Sequence, residues 1–360
     1  MNAMAFPPTY RKRNYWQISL KTLFLLIALL AIILFPIAVR IRDARNQKAA
    51  YDILRSYNAE VWYDYELDWK MKYGDLHTAP SDLIDLASPP GPEFLHRLLG
   101  RDFFSSIIIV HVGDTYPSIH DHLFDALRHL RNLTKLGTKD CSPLSDYVDA
   151  IAAMPKLQTL WLDGTNATDL DLKKLSYCTE IAVLGLRDTK VTNAGIQNLV
   201  SMESLKNLKL SRTRVGGHGS EIFSELQGLE MLLLDDTQFT DDDVRHLCKI
   251  PNLTYLKLSR TSVGDKAVEY LARCSQLRTL YLDGTHITEE GLRELSRHSN
   301  LTWIDLSNTR LTDKSVSTLL QFKKARIGPL SLEGTDITAT GLQELLDVMR
   351  ERYPKDSRFR

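Results

Sequence analysis

The sequence has few of the residues from which catalytic and metal centres are built. It carries four cysteines in 360 residues, none in the closely spaced pairs that structural zinc requires. There is no phosphate-cradling glycine loop, no GxSxG elbow and no HExxH helix. Those absences remove the common routes to nucleotide hydrolysis, acyl transfer and metal-assisted hydrolysis, so the chain reads as a non-enzyme without a cofactor. Charge of one sign is also lacking, since 45 Lys and Arg balance 45 Asp and Glu. The balance conceals a segregation. The first 48 residues hold eight basic residues against one acid, and residues 348–360 hold five against two, so the body between them holds 32 basic against 42 acidic. A body with a net charge of minus ten is a poor groove for a polyanion, and nucleic acid is excluded as a partner.

What is present is a block that recurs at a spacing of 24 residues over most of the chain. Its first positions are Ile107, Leu133, Leu157, Ile181, Leu205, Leu229, Leu253, Leu277, Leu301 and Ile327. Position four is aliphatic throughout, from Val110 to Leu330, and position six is aliphatic except at Thr138. Position nine is threonine from Thr165 to Thr335, with Cys141 the exception after Thr115. Inward residues at four and six need a period of two, so positions two to seven are expected to form one strand of a parallel sheet. The second half of each unit should return as a helix or turn. Thr168, Thr192, Thr240, Thr288, Thr312 and Thr338 are placed to cap it, and leucines from Leu175 to Leu345 to pin it inward. Gly216 and Gly264 replace that threonine, and Gly216-Gly217-His218-Gly219 is expected to be the loosest return. The ninth-position hydroxyls should bond backbone where the chain turns off the strand.

Ahead of the repeats, Thr22–Val39 is an uncharged run that as helix would span about 27 Å, close to a hydrocarbon core. It is expected to be an uncleaved membrane helix after a basic tail over 1–21, flanked by Tyr15 and Trp16 and by basic residues on both sides. A cleaved signal peptide is the rival, but Pro36 to Arg40 lacks a small-x-small cleavage site. The short tail is the easier end to keep in the cytoplasm, which places the repeats outside it. Residues 40–91 read as a juxtamembrane helix, a short strand and a proline-rich loop, 92–106 as a helix capping the first repeat, 107–349 as ten repeats and 350–360 as a basic tail.

Cys178 and Cys274 share position 22 of repeats four units apart. At about 4.8 Å per strand they are about 19 Å apart, beyond bonding reach. With Cys141 facing inward and Cys248 on the convex side, the cysteines read as buried, inert thiols. The nearest approach to a metal cluster is His111, His120, His122 and His129. Histidines two apart on a helix do not share a face, so these read as solvated residues. Asn132, Asn166, Asn252 and Asn300 head glycosylation sequons.

Binding is expected on the concave strand face, where outward positions align as columns. Tyr255, Lys257, Tyr281 and Trp303 fall in three adjacent repeats, and exposed aromatics on a rigid sheet make interface hot spots. Lys209, Arg212 and Arg260 join the same face, as do Asp163, Asp235, Asp283 and Asp305, with Trp161 standing alone. Cross-strand packing alone would account for the same side chains.

A period of this length with an LxxLxL core resembles the leucine-rich repeat superfamily, and Cys141, Cys178 and Cys274 resemble its cysteine-containing class. The threonine-rich repeats, the SLKTLFLLIALLAI anchor, VWYDYE and PGPEFLHRLLGRDFF are similar to a single-pass group from planctomycete bacteria. The resemblance implies an α/β horseshoe solenoid with its parallel sheet on the concave face, preceded by a transmembrane helix. It also implies a membrane-anchored scaffold for a protein partner or a cell-surface glycan. An envelope spacer without a ligand, or an F-box-like ubiquitin-ligase adaptor, are the alternatives; no F-box helix set stands between 49 and 106.

Overall fold

The computed structural model describes residues 20–64, 90, 92–103, 105–112, 125–138, 144–298, 300–322 and 332–352. Within them runs a single ten-stranded sheet whose order follows the chain, β1 to β10. β1 (Glu60–Tyr63) pairs antiparallel to β2 (Ile107–Val112). β3 (Lys135–Thr138), β4 (Thr159–Trp161), β5 (Val183–Gly185), β6 (Asn207–Lys209), β7 (Met231–Leu233), β8 (Tyr255–Lys257), β9 (Thr279–Tyr281) and β10 (Trp303–Asp305) then add in parallel. Each repeat pairs position for position with the next, as in Leu256 beside Leu280 and Lys257 beside Tyr281. This is a leucine-rich repeat solenoid.

The inward column explains the stack. Leu160, Leu184, Leu208, Leu232, Leu256 and Leu280 are fully buried, as are the sixth-position leucines from Leu162 to Leu306. Each such side chain contributes about 1.5–3 kcal/mol of burial that no repeat could gain alone. The regular strand is shorter than positions two to seven: from β4 onward it spans positions three to five. Ladder bonds still continue beyond it, with Leu162 N donating to Gly185 O at 2.8 Å and Gly164 N to Arg187 O at 2.7 Å. The chain leaves the strand because position eight is left-handed, with φ of 55° at Asp188, 57° at Arg212, 54° at Asp236 and 53° at Arg260. One residue later the threonine hydroxyl donates to the sixth-position carbonyl, as from Thr165 to Leu162 and from Thr261 to Leu258, both at 2.7 Å. The ninth-position threonines therefore brace their own unit.

The convex returns carry a polar thread between repeats. The Asp169 carboxylate accepts from Thr192 N at 2.8 Å and Thr192 Oγ1 at 2.7 Å, and Asp265 does the same for Thr288. Thr168 and Thr240 also form reciprocal capping boxes with Asp171 and Asp243. The glycine-rich return is not loose. Gly216 N donates to Asn193, whose amide donates to Gly216 O and His218 O, and Gly217 N donates to Asp243. A Cβ on Gly216 would meet the Gln238–Phe239 backbone at 2.6 Å with φ at +110°, so the glycine is there for close approach.

Two cysteine readings are corrected. Cys248 and Cys274 form a disulfide, with Cα atoms 4.9 Å apart, because they lie on neighbouring convex returns where the chain passes side by side. Comparing only the two residues at position 22 missed this pairing. Cys178 is a buried free thiol whose burial pushes it up to about 11. Cys141 lies outside the described residues.

At the other end, α1 (Leu20–Ser56) is one helix of 37 residues with Pro36 inside it. Its first half is apolar and exposed, and its second half buries Ala44, Gln47, Ala50 and Leu54. The helix expected to cap the first repeat, α2 (Glu93–Leu99), buries none of its residues. The capping falls to β1, to the C-terminal half of α1 and to the turn over Arg101–Phe103. Asp102 there accepts from Gln47 Nε2 at 3.0 Å and Tyr63 Oη at 2.7 Å, and Ile107 N donates to Gln47 Oε1 at 3.1 Å. Pairing β1 onto β2 also covers the edge of the first repeat and leaves a strand of only four residues as the sheet's end.

Candidate concave recognition face

On β8, β9 and β10 the outward side chains meet. Tyr255 and Tyr281 stack with ring centroids 5.5 Å apart, and Tyr281 and Trp303 follow at 6.4 Å. Position three of one repeat and position five of the next are diagonal neighbours, close enough for rings to touch. Lys257 Nζ stands 5.4 Å from the Tyr281 centroid and 3.3 Å from Asp235 Oδ1, so it is held by a ring and a carboxylate together. Tyr255, Lys257, Tyr281 and Trp303 are all half-buried. Burial, with a hydrogen bond to Tyr281, raises the Tyr255 phenol well above its ordinary value and keeps it neutral.

The remaining expected site residues separate into two other places. Arg212 and Arg260 stand on the rim. Arg212 makes a two-pronged ion pair with Asp188, and Arg260 pairs with Asp236 at 2.7 Å and Asp283 at 3.3 Å. Asp188, Arg212, Asp236 and Arg260 thus alternate in sign down column eight, a pattern that was readable in the sequence as an alternation at a 24-residue interval. The guanidiniums hold Asp188 and Asp236 below the ordinary carboxylate range. A shallow groove of about 500 Å³ opens beside this rim, lined by Lys190, Arg214 and the paired Asp188, Arg212 and Asp236. It does not include the aromatic ladder. Of its charged residues, Arg212 pairs with Asp188 in the lining and Asp236 with Arg260 beside it.

Lys209 lies two strands from Lys257, with Leu233 between them in register. Trp161 lies on β4, flanked by Gly137 and Gly185 in the same column. Its ring leans over Gly185, where a Cβ would sit 3.0 Å from Trp161 Cδ1 and 3.1 Å from the Asp163 carboxylate. His111 leans over Gly137 in the same way, its Nδ1 filling the place of a Cβ. The glycines that give these rings room were visible in column five and were not singled out.

Among the described residues no cluster of His, Cys, Asp and Glu is arranged to hold a metal. His120 and His122 lie outside them.

A leucine-rich repeat family profile matches residues 249–272, which span the end of one unit and most of the next. No curated protein matches the chain. Among solved structures, an internalin from Listeria monocytogenes is 18% identical, with 66% of this chain and 84% of that one covered and a TM-score of 0.46. Internalin C2 of the same organism is 23% identical, covering 64% of this chain and 81% of that one, with a TM-score of 0.39. The profile match covers the length of a single unit within the stacked parallel strands.

Proposed function

We infer that the chain is a membrane-tethered scaffold that recognises a protein partner through the ladder of Tyr255, Tyr281 and Trp303. The observation that carries this reading is a row of three aromatic rings on one rigid face, with Tyr281 against both Tyr255 and Trp303, half-exposed, with Lys257 at their edge. Rings already packed on one another lose little freedom on binding, and each offers a large apolar face with a polar tip. Around them Asp283, Asp305 and Arg260 supply a polar rim, the usual surround of a hot spot. A scaffold of this kind performs no chemistry of its own.

The tether is the first half of α1. Residues Leu23–Ser56 contain an apolar window of spanning length, unburied against the rest of the protein. The disulfide between Cys248 and Cys274 favours an oxidising compartment for the repeats, consistent with their lying outside the cytoplasm.

A photo-crosslinker placed at Thr279, next to Tyr255 in register on β9, tests the site in native membranes. Adducts to a protein from Thr279 and none from the convex residue Leu170 are expected. Adducts confined to Leu170 would move recognition to the other face, and a glycan adduct at Thr279 would keep the face and change the partner.

A further inference from the structure

We propose that α2 lies on the membrane surface, with Phe94 and Leu98 immersed where lipid headgroups meet acyl chains. The proposal rests on the reading of α1 as a membrane span. Phe94 is 67% exposed and Leu98 75%, and being four apart on a helix they share one face. Two exposed apolar residues alone would mean little. Their position supplies the occupant. Arg40 is the first charged residue after the uncharged run that begins at Thr22, so it marks where α1 leaves the hydrocarbon. Its Nε donates to Phe103 O at 2.8 Å, which fastens the turn just beyond α2 at that level.

The rest of the environment closes the alternatives on the protein side. Beyond Arg40, α1 buries Ala44, Ala50 and Leu54 and packs against β1 and the turn over Arg101–Phe103. The buried bonds among Gln47, Asp102 and Tyr63 leave no hinge between helix and solenoid. Only Gly100 separates α2 from the fastened turn, and a helix of this length is about 10 Å long, so α2 stays close to the bilayer boundary. Glu93 and Arg97 pair at 2.6 Å and are both largely exposed, which supplies the polar face that an interfacial helix turns to water and phosphate. A short helix seated in this way would fix the tilt of the whole horseshoe relative to the membrane.

The test uses the full chain, with Cys141 replaced by serine and the free thiol Cys178 by alanine, in vesicles of phosphatidylcholine and phosphatidylserine. An environment-sensitive fluorophore is attached at single cysteines from Phe94→Cys, Leu98→Cys, Ile27→Cys within the span and Tyr177→Cys on the convex side. Quenching by nitroxide lipids is compared with quenching by aqueous iodide. Positions 94 and 98 are expected to be quenched several-fold more by a shallow nitroxide than by iodide, with the opposite preference at 177. Iodide quenching at 94 and 98 equal to that at 177 would overturn the proposal, and so would shielding from both quenchers, which would mean a second protein covers α2. Failure of a deep nitroxide to quench position 27 would instead remove the span itself, and this proposal with it.

Discussion

In the repeats beginning at 253, 277 and 301, the outward aromatic rings meet one another; in those beginning at 107 to 181, the rings of column five stand beside glycine. Tyr281 touches a ring on either side, whereas Trp161 and His111 lean across Gly185 and Gly137. The inward leucines beneath both regions are equally buried. One scaffold thus carries two different surfaces, and the difference lies in the neighbours of an aromatic residue and not in the residue itself.

The largest expected effect probes the shared part. Leu160→Ala and Leu256→Ala should each cost about 2–5 kcal/mol, because both remove a fully buried side chain from the same column. Denaturant midpoints that fall alike would confirm one core under two surfaces; a clear disparity would break the comparison at its base. Next in size, Tyr281→Ala should cost about 1–3 kcal/mol, on an estimate of 0.5–1.5 kcal/mol for each aromatic pair lost. A double-mutant cycle between Tyr281 and Trp303 should show coupling, while one between Tyr281 and Trp161 should be additive within about 0.5 kcal/mol. Coupling to Trp161 would mean that the two regions are not independent.

Gly185→Ala sharpens the other side. Its new Cβ would press on Trp161 Cδ1 at 3.0 Å, so the half-exposed indole must give by a few tenths of an ångström. A shift in tryptophan emission without loss of fold is expected, and unchanged emission would show that Trp161 does not depend on its glycine.

The smallest effect is electrostatic. Asp188 and Asp236 are held low chiefly by hydrogen bonds from Arg212 and Arg260. A depressed carboxylate contributes stability that is present above its unfolded value, about 3.9, and is lost as pH falls through the folded value. The rim pairs should therefore weaken only in acid. Carboxyl resonances followed by NMR should give midpoints below the ordinary range that rise in Arg212→Ala and Arg260→Ala; unchanged midpoints would remove the pairing.

Most of the architecture was legible because a 24-residue repeat writes the same instruction many times. The leucine columns, the ninth-position threonines and the aromatic cluster followed from spacing alone. What escaped involved two repeats at once. Cys248 and Cys274 occupy different positions within their units and meet only because adjacent returns run side by side. Asp169 bonds Thr192 of the following unit as well as standing beside its own cap. The end of the stack escaped for another reason. α2 follows a proline and has apolar spacing, the signature of a packed helix, yet the buried surface there is supplied by α1 and β1 well upstream and by the turn over Arg101–Phe103 just beyond it. Within the candidate site, Arg212 and Arg260 stand at position eight, where the backbone is left-handed, and they pair there with Asp188 and Asp236.

Recognition by the ladder, as opposed to aromatic exposure in general, is tested by cross-linking capture from native membranes with three proteins: wild type, the Tyr255, Tyr281 and Trp303 triple alanine variant, and Trp161→Ala. A protein captured by wild type and by Trp161→Ala and lost from the triple variant is expected, with all three equally folded. The same protein retained by the folded triple variant would contradict recognition by the ladder.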